Sequence, residues 1–177
     1  NTNSGEISKV AIPEHEVIGS IDVGLYMDYV AASPDGRTLY VNRIETLGVG
    51  RAKNIGDWGE IIAIDTATDA EKWRMKLDGM PHHMSVTHDG KLMFVPYYNT
   101  WWTAVIDLEK REVIKKLFTG HGSHGTKISP DGERLYVGSM MNDFLSVIDI
   151  PSLEVIDMIP FRDGVRPFVM TKDEKTM

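Results

Sequence analysis

The chain has 177 residues, 42% hydrophobic and 25% charged, with 19 Lys and Arg against 26 Asp and Glu for a net charge of -7; this is the make-up of a folded, soluble domain. Acidity without a Lys/Arg cluster repels a phosphate backbone, so no nucleic-acid partner is expected, and no run of 18 apolar residues exists to supply a membrane span. The absence of cysteine removes disulfides and thiolate metal sites and leaves His, Asp and Glu as the strong metal ligands.

In chain order, Asn1-Thr2-Asn3-Ser4-Gly5-Glu6 lacks the basic and apolar regions of a signal peptide, and equally suits a mature N-terminus left by cleavage. Residues 7–18 align with 145–156, so the chain is expected to begin with the last two strands, C and D, of a partial unit at 6–24. A full unit at 25–78 follows: Val30-Ala31-Ala32, the turn Ser33-Pro34-Asp35-Gly36, Leu39-Tyr40-Val41, then Ile61-Ile62-Ala63-Ile64 before Asp65, and Lys72-Trp73-Arg74-Met75. The unit at 79–120 repeats this with Met84-Ser85-Val86, Asp89-Gly90, Met93-Phe94-Val95, Thr103-Ala104-Val105-Ile106 and Val113-Ile114-Lys115-Lys116. The unit at 121–163 repeats it with Thr126-Lys127-Ile128, Asp131-Gly132, Leu135-Tyr136-Val137, Leu145-Ser146-Val147-Ile148 and Val155-Ile156-Asp157-Met158. Residues 164–177 start a further unit whose first turn, at Asp173-Glu174, is reached without a second strand.

Ile64-Asp65, Ile106-Asp107 and Ile148-Asp149 recur at a period of 42 residues. Four antiparallel strands per unit of about 40 residues is the arithmetic of a β-propeller blade. A helical repeat is excluded because no sustained i, i+3, i+4 pattern exists and Gly, Pro and Asp punctuate the units at strand-length spacing. The expected fold class is therefore all-β, a propeller of four-stranded antiparallel blades. Three complete blades would leave sheet edges and two blade faces bare, so the chain is expected to be a fragment or to need the remainder of the propeller or a protein partner to close a ring.

Seven residues before each turn Asp stand Asp28, His82, His124 and Arg166, one per unit at the entry of the innermost strand. These entries ring the central channel of a propeller, so the four side chains are expected to meet in one funnel, with His83 and His121 beside them. Imidazoles with a carboxylate are a ligand set for a metal ion, or could flank a haem: His82, His124, Asp28, His83 and His121 are the metal candidates. His82, His124, Arg166, Tyr98 and Trp101 are the candidates for contacting a cofactor or other small-molecule ligand. The plainer reading is that such channel residues bond only to neighbouring blades and buried water. His15 and His88 belong to the opposite face as solvated turn residues.

Gly120-His121-Gly122-Ser123-His124-Gly125 opens a strand and lacks the helix and Lys of a phosphate loop, so it is not a nucleotide site. Of the aromatics in Tyr97-Tyr98-Asn99-Thr100-Trp101-Trp102, Trp102 suits blade-to-blade packing, whereas Tyr98 and Trp101 suit the wall of a ligand or partner site. An insertion at 45–58 makes Asp35 to Asp65 twelve residues longer than Asp89 to Asp107, and its Gly and basic residues read as a lid or docking loop.

Ser129-Pro130-Asp131-Gly132-Glu133-Arg134-Leu135-Tyr136-Val137 followed by Val147-Ile148-Asp149 resembles the YVTN-type, WD40-like β-propeller repeat. This family is similar to the propellers of cytochrome d1 nitrite reductases, amine dehydrogenase heavy chains and hydrazine synthase β subunits. The resemblance implies a seven-bladed ring, of which this chain is about half, in the periplasm or outside the cell. It departs from the repeat at His88, where Pro is usual, and at Asp173-Glu174, where Asp-Gly is usual. The insertion is similar to the Arg-Gly insertion of amine dehydrogenase heavy chains, which implies a partner contact.

The resemblance implies a scaffold or binding subunit of a redox system that presents its His-rich funnel to a metal, a haem or a partner protein. A metal-dependent lactonase or lyase is the alternative, although those propellers use Glu and Asn at the channel; a pure protein-interaction module is the third reading. No Ser/His/Asp triad order, Walker loop, Rossmann fingerprint or HExxH is present, so whether the chain is an enzyme stays open and catalytic residues are unknown.

Overall fold

The computed structural model describes residues 4–24, 26–44, 58–166, 168–173 and 175–177, which form strands and turns and no helix. A hairpin of β1 (Glu6–Ala11) and β2 (Glu16–Asp22) comes first. Three four-stranded antiparallel meanders follow. The first is β3 (Met27–Ala32), β4 (Thr38–Ile44), β5 (Gly59–Asp65) and β6 (Glu71–Leu77). The second is β7 (Ser85–Val86), β8 (Leu92–Pro96), β9 (Trp102–Asp107) and β10 (Glu112–Phe118). The third is β11 (Ser123–Ile128), β12 (Arg134–Ser139), β13 (Phe144–Asp149) and β14 (Glu154–Pro160). The fold is all-β, a partial propeller ring with three complete blades.

Two strands differ from expectation. β7 has only two residues, because Pro96 accepts a 3.0 Å bond from the His82 N–H but has no N–H to return, so the ladder is weak there. The described residues of 164–177 form no strand, since none of them pairs in a ladder; they keep only the turn in which the Thr171 N–H donates to the Thr176 carbonyl at 2.9 Å.

Alternation along each strand sends successive side chains to opposite neighbours. Tyr40 joins Ile61, Met93, Val95 and Ile106 between the first two blades, whereas Val41 joins Val23, Ile62 and Ile64 against the hairpin. Phe94 points the other way from Met93 and packs with Leu135, Val137 and Ile148 of the third blade. Strands β5, β9 and β13 are buried on both faces for this reason, while β10 and β14 alternate toward solvent.

The turn between the first and second strand of each unit repeats one bonding pattern. Ser33, Thr87, Ser129 and Thr171 each donate a hydroxyl to the Asp two residues on, at 2.5–2.6 Å. Each Asp in turn accepts the backbone N–H two residues further, at 2.9–3.3 Å. In the fourth unit, where Asp-Glu stands for Asp-Gly, Thr171, Asp173 and Lys175 keep these two bonds. The other departure is also resolved: a Cβ on Gly132 would lie 3.1 Å from the His88 ring, as one on Gly90 would lie 3.7 Å from Pro34, so His88 rests on the next blade's turn in the place of Pro.

Candidate functional site

The innermost ladder of every blade slips by one residue at the same place. Pairing changes between Met27 and Tyr29 in the first blade and between Ser123 and Gly125 in the third, leaving Asp28 and His124 as the extra residues. In the second, Pro81 pairs with Tyr97 and Ser85 with Phe94, which is again one residue out of register across the segment holding His82. A β-bulge frees one residue from the ladder and re-aims its side chain. With β7 lying against both β3 and β11, the three bulges direct their residues toward one another.

The result is a compact cluster. His82 Nδ1 lies 3.0 Å from Asp28 Oδ2, close enough for an ionic contact but out of line for a well-formed hydrogen bond. The His82 and His124 rings are 4.3 Å apart, His83 meets His124 edge-on at 4.3 Å, and Tyr29 stacks on His83 at 4.4 Å. Tyr98 closes one side, 5.1 Å from His82. Arg166, from the segment after β14, reaches the His124 Nε2 at 2.8 Å.

That last contact assigns the tautomer of His124. A guanidinium only donates, so Nε2 accepts and a neutral ring carries its proton on Nδ1. Burial, together with the charges of His82, His83 and Arg166, pushes the His124 pKa down to about 3, so the ring is neutral at physiological pH. His83 is lowered too, by burial foremost and by His82, Arg166 and Lys127 against the opposing pull of Asp28. Burial pushes the Asp28 carboxyl up, but His82 contact and the surrounding imidazoles outweigh it and hold the group below the ordinary carboxylate range. Asp28 Oδ2, His82 Nδ1 and His124 Nδ1 are all buried without a hydrogen-bond partner.

Two residues outside the cluster set its geometry. Asn42, fully buried in β4, donates to the carbonyls of Pro81 at 3.0 Å and His82 at 2.9 Å, and accepts the Tyr29 N–H at 2.6 Å. It ties the first two bulges together. Gly138 lets the segment bearing Arg166 approach, since a Cβ there would lie 2.3 Å from the Val165 carbonyl oxygen and 3.0 Å from Phe168. Asn42 and Gly138 occupy the same offset after Tyr40-Val41 and Tyr136-Val137, and the one available signal was a non-hydrophobic residue at the end of an apolar run.

A family model described as YNCE-like beta-propeller matches residues 43–177. The chain belongs to this family. Among solved structures, Kuenenia stuttgartiensis hydrazine synthase is similar at 25% identity and a TM-score of 0.83, over 99% of this chain and 49% of that one. A functionally unknown protein from Desulfotomaculum acetoxidans is similar at 8% identity and a TM-score of 0.80, over 97% of this chain and 54% of that one, which shows the fold alone. The chain thus spans about half the length of the structures it matches.

In this YNCE-like propeller the residues singled out from sequence divide into two groups. Asp28, His82, His83, His124, Arg166 and Tyr98 come together. His121 and Trp101 do not: their rings pair with each other at 5.1 Å, and Trp101 stacks on Phe118 at 5.9 Å. The His121 carbonyl is held by Ser139 and Asn142 at 2.6 and 2.7 Å, and the positive φ of Gly120 (89°) and Gly122 (72°) turns this residue onto its own loop. Trp102 meets Phe118 of its own blade at 5.7 Å and is 40% exposed. Of the insertion at 45–58, all but Trp58 lies outside the described residues.

Among the described residues no group of three His, Asp or Glu side chains is arranged to hold a metal ion. The physical reason is visible at His124, whose Nε2 is engaged by the cation of Arg166, while His82 Nδ1 faces Asp28. A guanidinium in contact with a ligand ring raises the cost of placing a second cation beside it. The donor set as it stands does not fit a divalent metal.

Proposed function

We propose that this chain forms part of a seven-bladed binding subunit outside the cytoplasm, associated with a redox assembly, whose histidine-rich funnel receives a small ligand or the tip of a partner. The observation that carries this reading is the recurrent bulge: three blades use the same local irregularity to turn Asp28, His82 and His124 into one space, where Arg166 joins them. A scaffold with no use for the space would satisfy these buried groups internally, as the opposite face does. The redox association draws on the 25% identity to a hydrazine synthase chain.

The reading is tested by native mass spectrometry, elemental analysis and an absorption spectrum of the full-length protein isolated from its source. A stoichiometric ligand or partner retained by the wild type and lost from His82→Ala/His124→Ala, with the melting transition intact, supports the funnel. Identical retention in both proteins sinks it. No observed arrangement favours the lactonase or lyase alternative.

A further inference from the structure

Three connections, between β8 and β9, β10 and β11, and β12 and β13, are tied to one another by hydrogen bonds. The Thr119 N–H donates to the Trp101 carbonyl at 2.9 Å, and the Met140 N–H donates to the Gly122 carbonyl at 2.9 Å. With Ser139 and Asn142 holding the His121 carbonyl, the turn bearing Met140 and Met141 is fixed against the turn bearing His121, whose ring meets Trp101. Gly122 admits the closest approach. A Cβ there would lie 2.8 Å from Met141 Cγ and 3.0 Å from Met141 Cβ, so the Met141 side chain crosses directly over the residue next to His121.

The donor atoms of this patch are uncommitted. Met141 is 52% exposed, Met140 40% and Trp101 47%, although methionine and tryptophan favour burial. The His121 ring is partly exposed and makes no hydrogen bond or ion pair among the described residues; only the carbonyl of this residue is engaged. In this it differs from His124, whose Nε2 is occupied by the Arg166 guanidinium.

An imidazole nitrogen and polarisable thioethers are donors for a soft ion, and as neutral groups they bring no negative charge to offset a divalent one. Cu(I) is soft, monovalent and content with few ligands. The Trp101 ring, 5.1 Å from His121 and backed by its stack on Phe118, offers a π surface to such a cation. We infer that this patch is a Cu(I) site in which His121 and Met141 are the ligands, with Met140 beside them as a further thioether and Trp101 capping the ion. The site is separate from the funnel and does not rest on the reading given for it above.

The probe is Cu(I), kept reduced with ascorbate under anaerobic conditions and equilibrated with the full-length protein by dialysis. The expected result is one Cu(I) per chain, bound at least tenfold more weakly by His121→Gln and by Met141→Leu, about threefold more weakly by Trp101→Leu, and undiminished in His82→Ala/His124→Ala. Leu keeps the volume of Met, so Met141→Leu isolates the sulfur, and melting curves check that each variant folds. X-ray absorption at the copper edge needs no variant and is expected to show both nitrogen and sulfur neighbours. Zinc ion is expected to bind at least tenfold more weakly than Cu(I). Full affinity in His121→Gln or Met141→Leu, a copper shell without sulfur, equal affinity for zinc, or no uptake of Cu(I) each overturns the site. Loss confined to His82→Ala/His124→Ala overturns it as well and moves the ion to the funnel. The funnel reading itself stands or falls by ligand retention in the untreated protein, so the two failures are read separately.

Discussion

The two faces of this propeller are built by opposite rules. On the turn face, Ser33, Thr87, Ser129 and Thr171 repeat one short-range bonding scheme, and every hydroxyl and carboxylate in it finds its partner within five residues. On the funnel face, His82 and Asp28 meet across 54 residues of chain and Arg166 and His124 across 42, and three buried polar atoms lack a well-formed hydrogen bond. A satisfied repeat stabilises the blade it closes. An unsatisfied convergence costs stability, a cost that the funnel ligand proposed above would offset. The comparison teaches that in this chain repetition marks architecture, and that the proposed function rests on the place where repeated positions carry different ionisable residues.

The contrast is broken most severely at Asn42. Asn42→Ala orphans the Pro81 and His82 carbonyls and the Tyr29 N–H, and is expected to destabilise by about 3 kcal/mol in chemical denaturation while shifting the His82 and His83 signals. Unchanged histidine signals would show that Asn42 does not position the cluster. Gly138→Ala comes next: its Cβ meets the Val165 carbonyl, and the overpacking is expected to cost about 2 kcal/mol and to release His124 from Arg166, read as a change of tautomer population by NMR. Retention of the Nδ1–H tautomer would place the control of Arg166 elsewhere.

Ser129→Ala supplies the counterpart on the turn face. It removes the donor to Asp131 and the acceptor of the Arg134 N–H, and is expected to cost about 1 kcal/mol with no change at His82 or His124. A matching response at the funnel would mean the two faces are coupled through the blade.

The faces also separate by pH. His124 has a folded pKa of about 3, below the ordinary histidine value, so the unfolded chain binds the proton more readily. Its contribution is fully present above about pH 6.5 and is lost as pH falls toward 3. The turn carboxylates Asp35, Asp89, Asp131 and Asp173 are also lowered, by hydrogen bonds from hydroxyl and backbone, so their contribution is present above the ordinary carboxylate pKa and lost only below it. Melting temperature is therefore expected to begin falling between pH 6.5 and 4 because of the funnel, and His124→Asn should flatten that first decline and spare the steeper one below pH 4. A first decline unchanged in His124→Asn would assign it to another group.

Much of this molecule is readable from its amino acids alone. The repeat period, the four strands per blade, the Asp turns and even the set Asp28, His82, His124 and Arg166 follow from residues whose interactions are local and recur at one spacing, because turn chemistry and strand alternation are decided within a few neighbours. The pairing inside the funnel is not readable in that way. The stack of Tyr29 on His83, the grip of Arg166 on His124 that excludes a metal-ligating role for Nε2, and the removal of His121 and Trp101 to a loop of their own depend on bulges, on the reach allowed by Gly138 and on the bonds of Asn42. These are contacts between blades, where side-chain direction is settled by packing over tens of residues of separation, and no local propensity encodes it.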